Sequence, residues 1–214
     1  MLATIGMYIP ESFRIVEEPE IEAFLHTYDF ATIVTPTPET LIATHVPVVV
    51  KRDGPRLVLL GHVAKANPHW RSMDGAIESL VIFHGPHGYV SPKWYANSPA
   101  VPTWNYAVVH AYGRPQAREE PAFIEALLVD LLRRYEGSGS DAWRMEDLPV
   151  DFRSRQLSAI VGFEMPVLRL EAKFKLGQNR AAIDRVRTIE ELERKSSSEA
   201  SNLAAFTRSH VKEG

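Results

Sequence analysis

Four groups of residues in this 214-residue sequence have the types and spacing to do chemistry. The first is histidine: His45, His62, His69, His84, His87 and His110, six of the eight, fall between residues 45 and 110. His84-x-x-His87 with His62 or His45 would offer a set of metal ligands. However, the pair brackets Gly85-Pro86, which reads as a turn, and no acidic residue lies close enough in sequence to complete a two-histidine, one-carboxylate set. Histidines hydrogen-bonded at strand ends are the simpler reading, and no metal is expected.

The second group is Gly61-His62-Val63-Ala64-Lys65-Ala66-Asn67-Pro68-His69-Trp70. Lys65 follows the end of an apolar β-branched run, and Asn67 caps a short helix opened by Pro68. A cation beside a helix N-terminus opposes the dipole. It makes sense if a phosphate sits between the ammonium and the free backbone N–H groups. A solvated lysine beside an ordinary cap explains the residues equally well. The third group is Pro92-Lys93-Trp94-Tyr95 with Val101-Pro102-Thr103-Trp104-Asn105-Tyr106. Rings with polar edges suit a flat heteroaromatic ligand, and they equally suit a core or a subunit interface. The fourth, Lys173-Phe174-Lys175-Leu176-Gly177-Gln178-Asn179-Arg180, closes an alternating run, and its three cations could neutralise an anion. A charged strand face next to a turn is the ordinary alternative.

The elements that must position these residues are mostly strands. Residues 30–35, 56–64 and 103–117 are β-rich runs, and 41–51 with 56–64 reads as a hairpin around Asp53-Gly54-Pro55. Pro47 inside it marks an edge or a bulge. Residues 79–84 and 88–91 read as two strands around Gly85-Pro86-His87-Gly88, and 160–176 ends in strict alternation. Helices are expected over 20–28, 121–135 and 152–159, the second with Pro121 in its first turn and Gly137 at its end. From Arg180 the chain turns polar and reads as a surface helix followed by a loosely held tail. Closely spaced strands with few helices between them predict an antiparallel barrel, mainly β with peripheral helices (α+β).

Composition narrows the chemistry. With no cysteine, the chain has no disulfide, no thiolate nucleophile and no cysteine-ligated metal. A net charge of −3 gives no electrostatic reason for nucleic acid or an anionic membrane, so direct DNA binding is doubtful. No run reaches the roughly 18 apolar residues of a spanning helix, and the N-terminus lacks a basic leader pattern. A soluble, cytoplasmic protein is the expectation. There is no dinucleotide fingerprint, phosphate-binding P-loop or nucleophile elbow.

Six segments in order carry a resemblance: Met7-Tyr8-Ile9-Pro10 with Phe13, then GHVAKANPHW, GYVSPKWY, VPTWNYAVVHAYG, IVGFEM and EAKFKLGQNR. Together they resemble the PaiB-like family of FMN-binding negative transcriptional regulators, from about Met7 to Arg180. The resemblance implies a split β-barrel of the FMN-binding type over residues 1–180, with 181–214 as a C-terminal helical, polar extension. It further implies a homodimer with FMN at the subunit interface. Carried over by position, Lys65 would hold the phosphate, with His62 and Asn67 nearby and Thr44 and His45 lining the flavin. Thr103, Trp104 and Asn105 would be groove residues, as would Gln178 and Asn179, while Gly177 stands where the family more often has Ser. Two functions follow: a flavin-dependent regulator of transcription, or a flavin oxidoreductase acting on a small molecule. A haem- or metal-binding protein is a third reading.

Overall fold

A computed structural model describes residues 6–210. Nine strands and five helices follow one another along these residues. The first half holds β1 (Arg14–Ile15), α1 (Glu18–Thr27), β2 (Phe30–Pro36), β3 (Leu41–Pro47), β4 (Val49–Asp53), β5 (Arg56–Ala64) and β6 (Ser79–Val90). The second holds β7 (Thr103–Gly113), β8 (Gln116–Arg118), α2 (Pro121–Tyr135), α3 (Val150–Ser158), β9 (Ile160–Lys175), α4 (Ala182–Glu193) and α5 (Ser198–His210). Hydrogen bonding orders the strands β3-β2-β6-β7-β9-β5-β4, with β1 and β8 also on β9. Every register given by the paired residues is antiparallel.

Contacts divide the chain into two compact units. One takes Leu25–Phe83 and Ala111–Leu170; the other takes the chain up to Phe24, His84–His110 and the chain from Glu171 on. In the first unit, alternate residues of β5 (Leu57, Leu59, Val63) and of β9 (Val161, Phe163, Met165) are buried. This is the period-two pattern of a strand with one face in the core. Helix α2 buries Ile124, Leu127 and Leu131, one stripe at helical spacing. Its next stripe, Leu128, Leu132 and Tyr135, lines an apolar cavity of about 500 Å³ with Trp143, Met145, Leu148 and Phe152.

The run 41–51 is not one strand. Pro47 ends β3, Val48 turns away with its N–H on the Asp29 carbonyl (2.8 Å), and the chain resumes as β4. As a result β3 pairs with β2 (Ile33↔Thr44), and only β4 makes the hairpin with β5 (Val50↔Leu59). Without an N–H, proline cannot continue the ladder, so the chain changes partner there.

In the second unit the sequence expectation fails at Gly85-Pro86. The segment is the middle of one continuous strand, β6, not a turn. Gly85 lies flat against Phe24, where a Cβ would come within 2.6 Å of the ring. The paired positions of β2 and β6 end at Ala31↔Phe83, so the N–H that Pro86 lacks falls beyond that ladder. The C-terminal region also departs from expectation. Helix α5 buries Ala200, Leu203, Ala204 and Thr207, and Phe206 stacks on His210 (3.9 Å) beside Phe174 (5.1 Å). An apolar stripe hidden in a polar sequence docks it, so it is no loose tail.

Candidate functional site

In the first unit, β5 delivers Lys65 to the surface at its C-terminal end. The Lys65 N–H binds the Ala159 carbonyl (2.7 Å), and the Trp70 indole N–H binds the Lys65 carbonyl (3.0 Å). As expected, Asn67 caps a short 3-10 helix opened by Pro68, its side chain accepting the His69 N–H at 3.0 Å. Two N–H groups of this turn are therefore already used, those of Asn67 (on Ala64) and His69. Lys65 itself pairs with Glu119 at 2.9 Å, and both side chains are about half exposed. The pair sits in a cavity of about 370 Å³ whose lining includes Glu125, Ser154 and Ser158.

The Asn67 amide also donates to the Thr44 hydroxyl (3.1 Å), which meets His69 Nδ1 at 2.8 Å. His69 Nε2 meets Thr35 Oγ1 at 2.8 Å, and Thr35 meets Ser79 Oγ at 2.7 Å. These five side chains form one chain of hydrogen bonds running into the core, where His69, Thr35 and Ser79 are buried. Burial pushes the His69 pKa down, so the ring is held neutral and both nitrogens are satisfied. His69 is the hub of this network, a role that nothing in its spacing signals. Neighbouring strand residues face opposite ways, and His45 accordingly meets Thr32 across the ladder (2.8 Å) on the face away from Thr44. His62 lies opposite Gly162 on β9. Its Nδ1 is buried and has no hydrogen-bond partner among the described residues, and burial lowers its pKa.

The second unit holds the other expected residues. Lys175, at the end of β9, donates to the Thr103 hydroxyl and to the Trp104 carbonyl (2.6 Å for the latter). Burial pushes its pKa down, and the positive charges of Lys173 and Arg180 push it further. The Trp104 side chain is 54% exposed, while Asn105 is buried. Trp104 lines a groove of about 380 Å³ with His84, His87 and Tyr106. His87 and Tyr89 pack against the indole, centroids 6.5 and 6.2 Å away. Gly177 makes the turn after β9 with a φ of +88°, a conformation that favours glycine. Gln178 is committed to its own strand, accepting the Leu176 N–H (2.8 Å) and donating to the Phe174 carbonyl (2.5 Å). Asn179 is exposed.

Thr44, His45, His62, Lys65 and Asn67 thus lie in one unit, and Thr103, Trp104, Asn105, Gln178 and Asn179 in the other. Among the described residues no three histidine, aspartate or glutamate side chains gather as a metal site would require. No helix among them is long and apolar enough to cross a membrane.

Residues 7–169 match the family described as "Putative FMN-binding domain". The chain belongs to this family. It is 34% identical over 206 residues to "Protease synthase and sporulation protein PAI 2" of Bacillus subtilis, covering 96% of this chain and 99% of that one. An uncharacterized protein of Emericella nidulans is 32% identical over 181 residues, 67% of this chain and 71% of that one. Among solved structures, the flavocytochrome Anf3 of Azotobacter vinelandii superposes with a TM-score of 0.59 at 16% identity, covering 77% and 70% of the two chains. A FAD- and haem-binding protein of Mycobacterium smegmatis gives 0.57 at 17% identity, covering 77% and 74%. These likenesses are of fold, which is the antiparallel split barrel of flavin-binding proteins with helices added. The FMN-binding family includes this chain, and FMN is its cofactor.

Proposed function

We propose that the protein is a homodimeric FMN-binding regulator in which the flavin ring lies on the Trp104 groove. The observation that carries this reading is the half-exposed indole, standing beside His84, His87 and Tyr106 in an open groove of about 380 Å³. An aromatic wall with few polar groups is what a flat heteroaromatic ring requires. Thr103 and Asn105 flank the indole in sequence, and Lys175 fixes the backbone at that point through the Trp104 carbonyl (2.6 Å). Lys65, free to exchange Glu119 for a phosphate, is the anchor for the other end of the cofactor, with Asn67 and Thr44 setting the turn behind it. The resemblance to dimeric split barrels favours a ring wall supplied by a second copy. FMN, when bound, supplies one- or two-electron transfer, and the protein supplies binding and orientation.

Residues expected near the cofactor but spent on internal hydrogen bonds, Gln178 and Thr44, serve as supports under this reading. The regulatory half rests on the PaiB-like resemblance and on the sporulation and protease synthesis in the Bacillus relative's name. A net charge of −3 argues that any control of transcription acts through flavin state or a partner rather than a DNA groove. Absorbance of the purified protein before and after Trp104→Ala tests the ring site. Flavin bands that persist unshifted in the variant would refute it. Sedimentation equilibrium showing only monomer would refute the dimer, and a salt-resistant, sequence-specific mobility shift would refute indirect control. Turnover of reduced nicotinamide with a small acceptor would instead favour the oxidoreductase reading.

A further inference from the structure

Three cations cluster at the end of β9, where the charges of Lys173 and Arg180 both act on Lys175, and none is paired with a carboxylate among the described residues. Strand alternation places Lys173 and Lys175 on one face, and the Gly177 turn returns Arg180 to the same end, its N–H on the Gly177 carbonyl (2.9 Å). Lys173 is only 7% exposed, yet its ammonium has one hydrogen bond, to the Tyr8 carbonyl (2.9 Å), and otherwise lies 5.3–5.4 Å from the Tyr106 and Tyr8 rings. Lys175 spends two of its three donors on Thr103 and Trp104. The Arg180 guanidinium rests on the Tyr95 ring (4.5 Å), and its N–H groups meet no acceptor among the described residues.

None of the three has a carboxylate within salt-bridge distance among the described residues. The acids nearest in sequence, Glu171 and Asp184, keep their charge but accept main-chain N–H groups (Met7 and Ala96, 2.7 Å each) rather than pairing with these cations. Like charges gathered and partly desolvated are costly unless a counter-charge completes them. Two ammonium groups, a guanidinium fork and a hydroxyl within one strand end match the donors a tetrahedral dianion takes.

We infer that Lys173, Lys175, Arg180 and Thr103 form a binding site for a phosphate-class dianion, distinct from Lys65. Two sources share this chemistry: the phosphate of FMN itself, or the phosphate of a separate small-molecule ligand bound beside the Trp104 groove. The site does not depend on the flavin reading, because its cations lack a counter-ion whatever occupies the groove.

The test uses the full chain and three probes: inorganic phosphate, FMN and riboflavin. Dissociation constants are measured by calorimetry for the wild type, Lys65→Ala, Arg180→Gln and Lys175→Gln, with circular dichroism to verify folding. Arg180→Gln serves as the informative variant should Lys175→Gln, which loses two internal hydrogen bonds, fail to fold. Phosphate affinity is expected to fall at least tenfold in Arg180→Gln, measured in the Lys65→Ala background so that phosphate held by Lys65 does not contribute. If the preference for FMN over riboflavin falls in parallel in Arg180→Gln, the site holds the cofactor's own phosphate, and the role given to Lys65 fails instead. If that preference survives, the dianion belongs to a second ligand. Phosphate binding that is absent in the wild type, or unaltered by Arg180→Gln in that background with the chain folded, overturns the inference. A chain that binds phosphate in this way but no flavin would leave the site standing and remove the cofactor reading.

Discussion

Lys65 and Glu119 allow the cofactor reading to be tested in magnitude as well as direction. Their ion pair is 2.9 Å long, with 51% and 53% of the two side chains exposed. An exposed pair of this kind is worth about 0–1 kcal/mol. A charge-assisted hydrogen bond from the same ammonium to a phosphate is worth about 1.5–3 kcal/mol. If the FMN phosphate displaces Glu119, the net gain from Lys65 is about 0.5–3 kcal/mol, so Lys65→Ala should weaken FMN binding by roughly 2- to 150-fold. Glu119→Gln removes the competitor and should tighten binding, by at most about fivefold. The double variant should match Lys65→Ala, because Glu119 then has no ammonium to occupy. Riboflavin, which lacks the phosphate, should respond to none of the three. Fluorescence quenching titrations of both ligands provide the readout. Equal FMN affinity in wild type and Lys65→Ala would refute the reasoning, and so would a loss of riboflavin binding as large as that of FMN.

Lys175 is held below the ordinary lysine value by burial and by Lys173 and Arg180, so a bound dianion should raise it again. Phosphate binding should then take up protons at alkaline pH below about 10.4, the ordinary lysine value, and weaken as pH rises through the lowered pKa. Calorimetry in buffers of different ionisation enthalpy measures that uptake. His69 is neutral in the folded chain with its pKa below 6.5, whereas the unfolded imidazole protonates near 6.5. Its contribution is therefore intact above that value and lost as pH falls toward the folded pKa, with a slope of up to about 1.4 kcal/mol per pH unit. Urea unfolding of His69→Gln should show a flatter acid limb than the wild type, although His62 leaves some slope in both. Gly85→Ala would drive a Cβ to within 2.6 Å of Phe24 and should cost about 1–3 kcal/mol, visible as a lower melting temperature.

How much of this was legible beforehand depended on whether the signal was local. Helix α2 starts at Pro121 and ends at Tyr135 as its apolar spacing and flanking Pro and Gly predict. The Asn67 cap and the existence of β9 are equally local and were equally readable, but the expected single buried face of β9 fails at Leu168, 61% exposed, and at Lys173, 7% exposed. The Gly85-Pro86 strand and the docked α5 were not, because each depends on a partner far away in sequence, Phe24 for one and a ring cluster for the other. The residues expected at the site divide the same way. Trp104 is half exposed, whereas Thr44 and Gln178 turn their polar atoms inward. A polar side chain's type gives its capacity for hydrogen bonding, but only the fold decides which partner it finds. The histidine excess shows the same limit: His69, in the short 3-10 helix, is the hub of a core network, and His45, on β3, makes a surface pairing.

Gln178 has one more consequence. The β1 register ends at Arg14↔Lys173, and just beyond it Phe174 and Leu176 are fully buried, 0% and 1% exposed. The Gln178 amide occupies two of their backbone groups, the Phe174 carbonyl and the Leu176 N–H, as a neighbouring strand would. A single side chain thus satisfies two backbone groups of buried residues that would otherwise be orphaned. Heat tolerance, a property remote from flavin chemistry, should therefore depend on this one amide, since each buried group left unpaired costs about 1–3 kcal/mol.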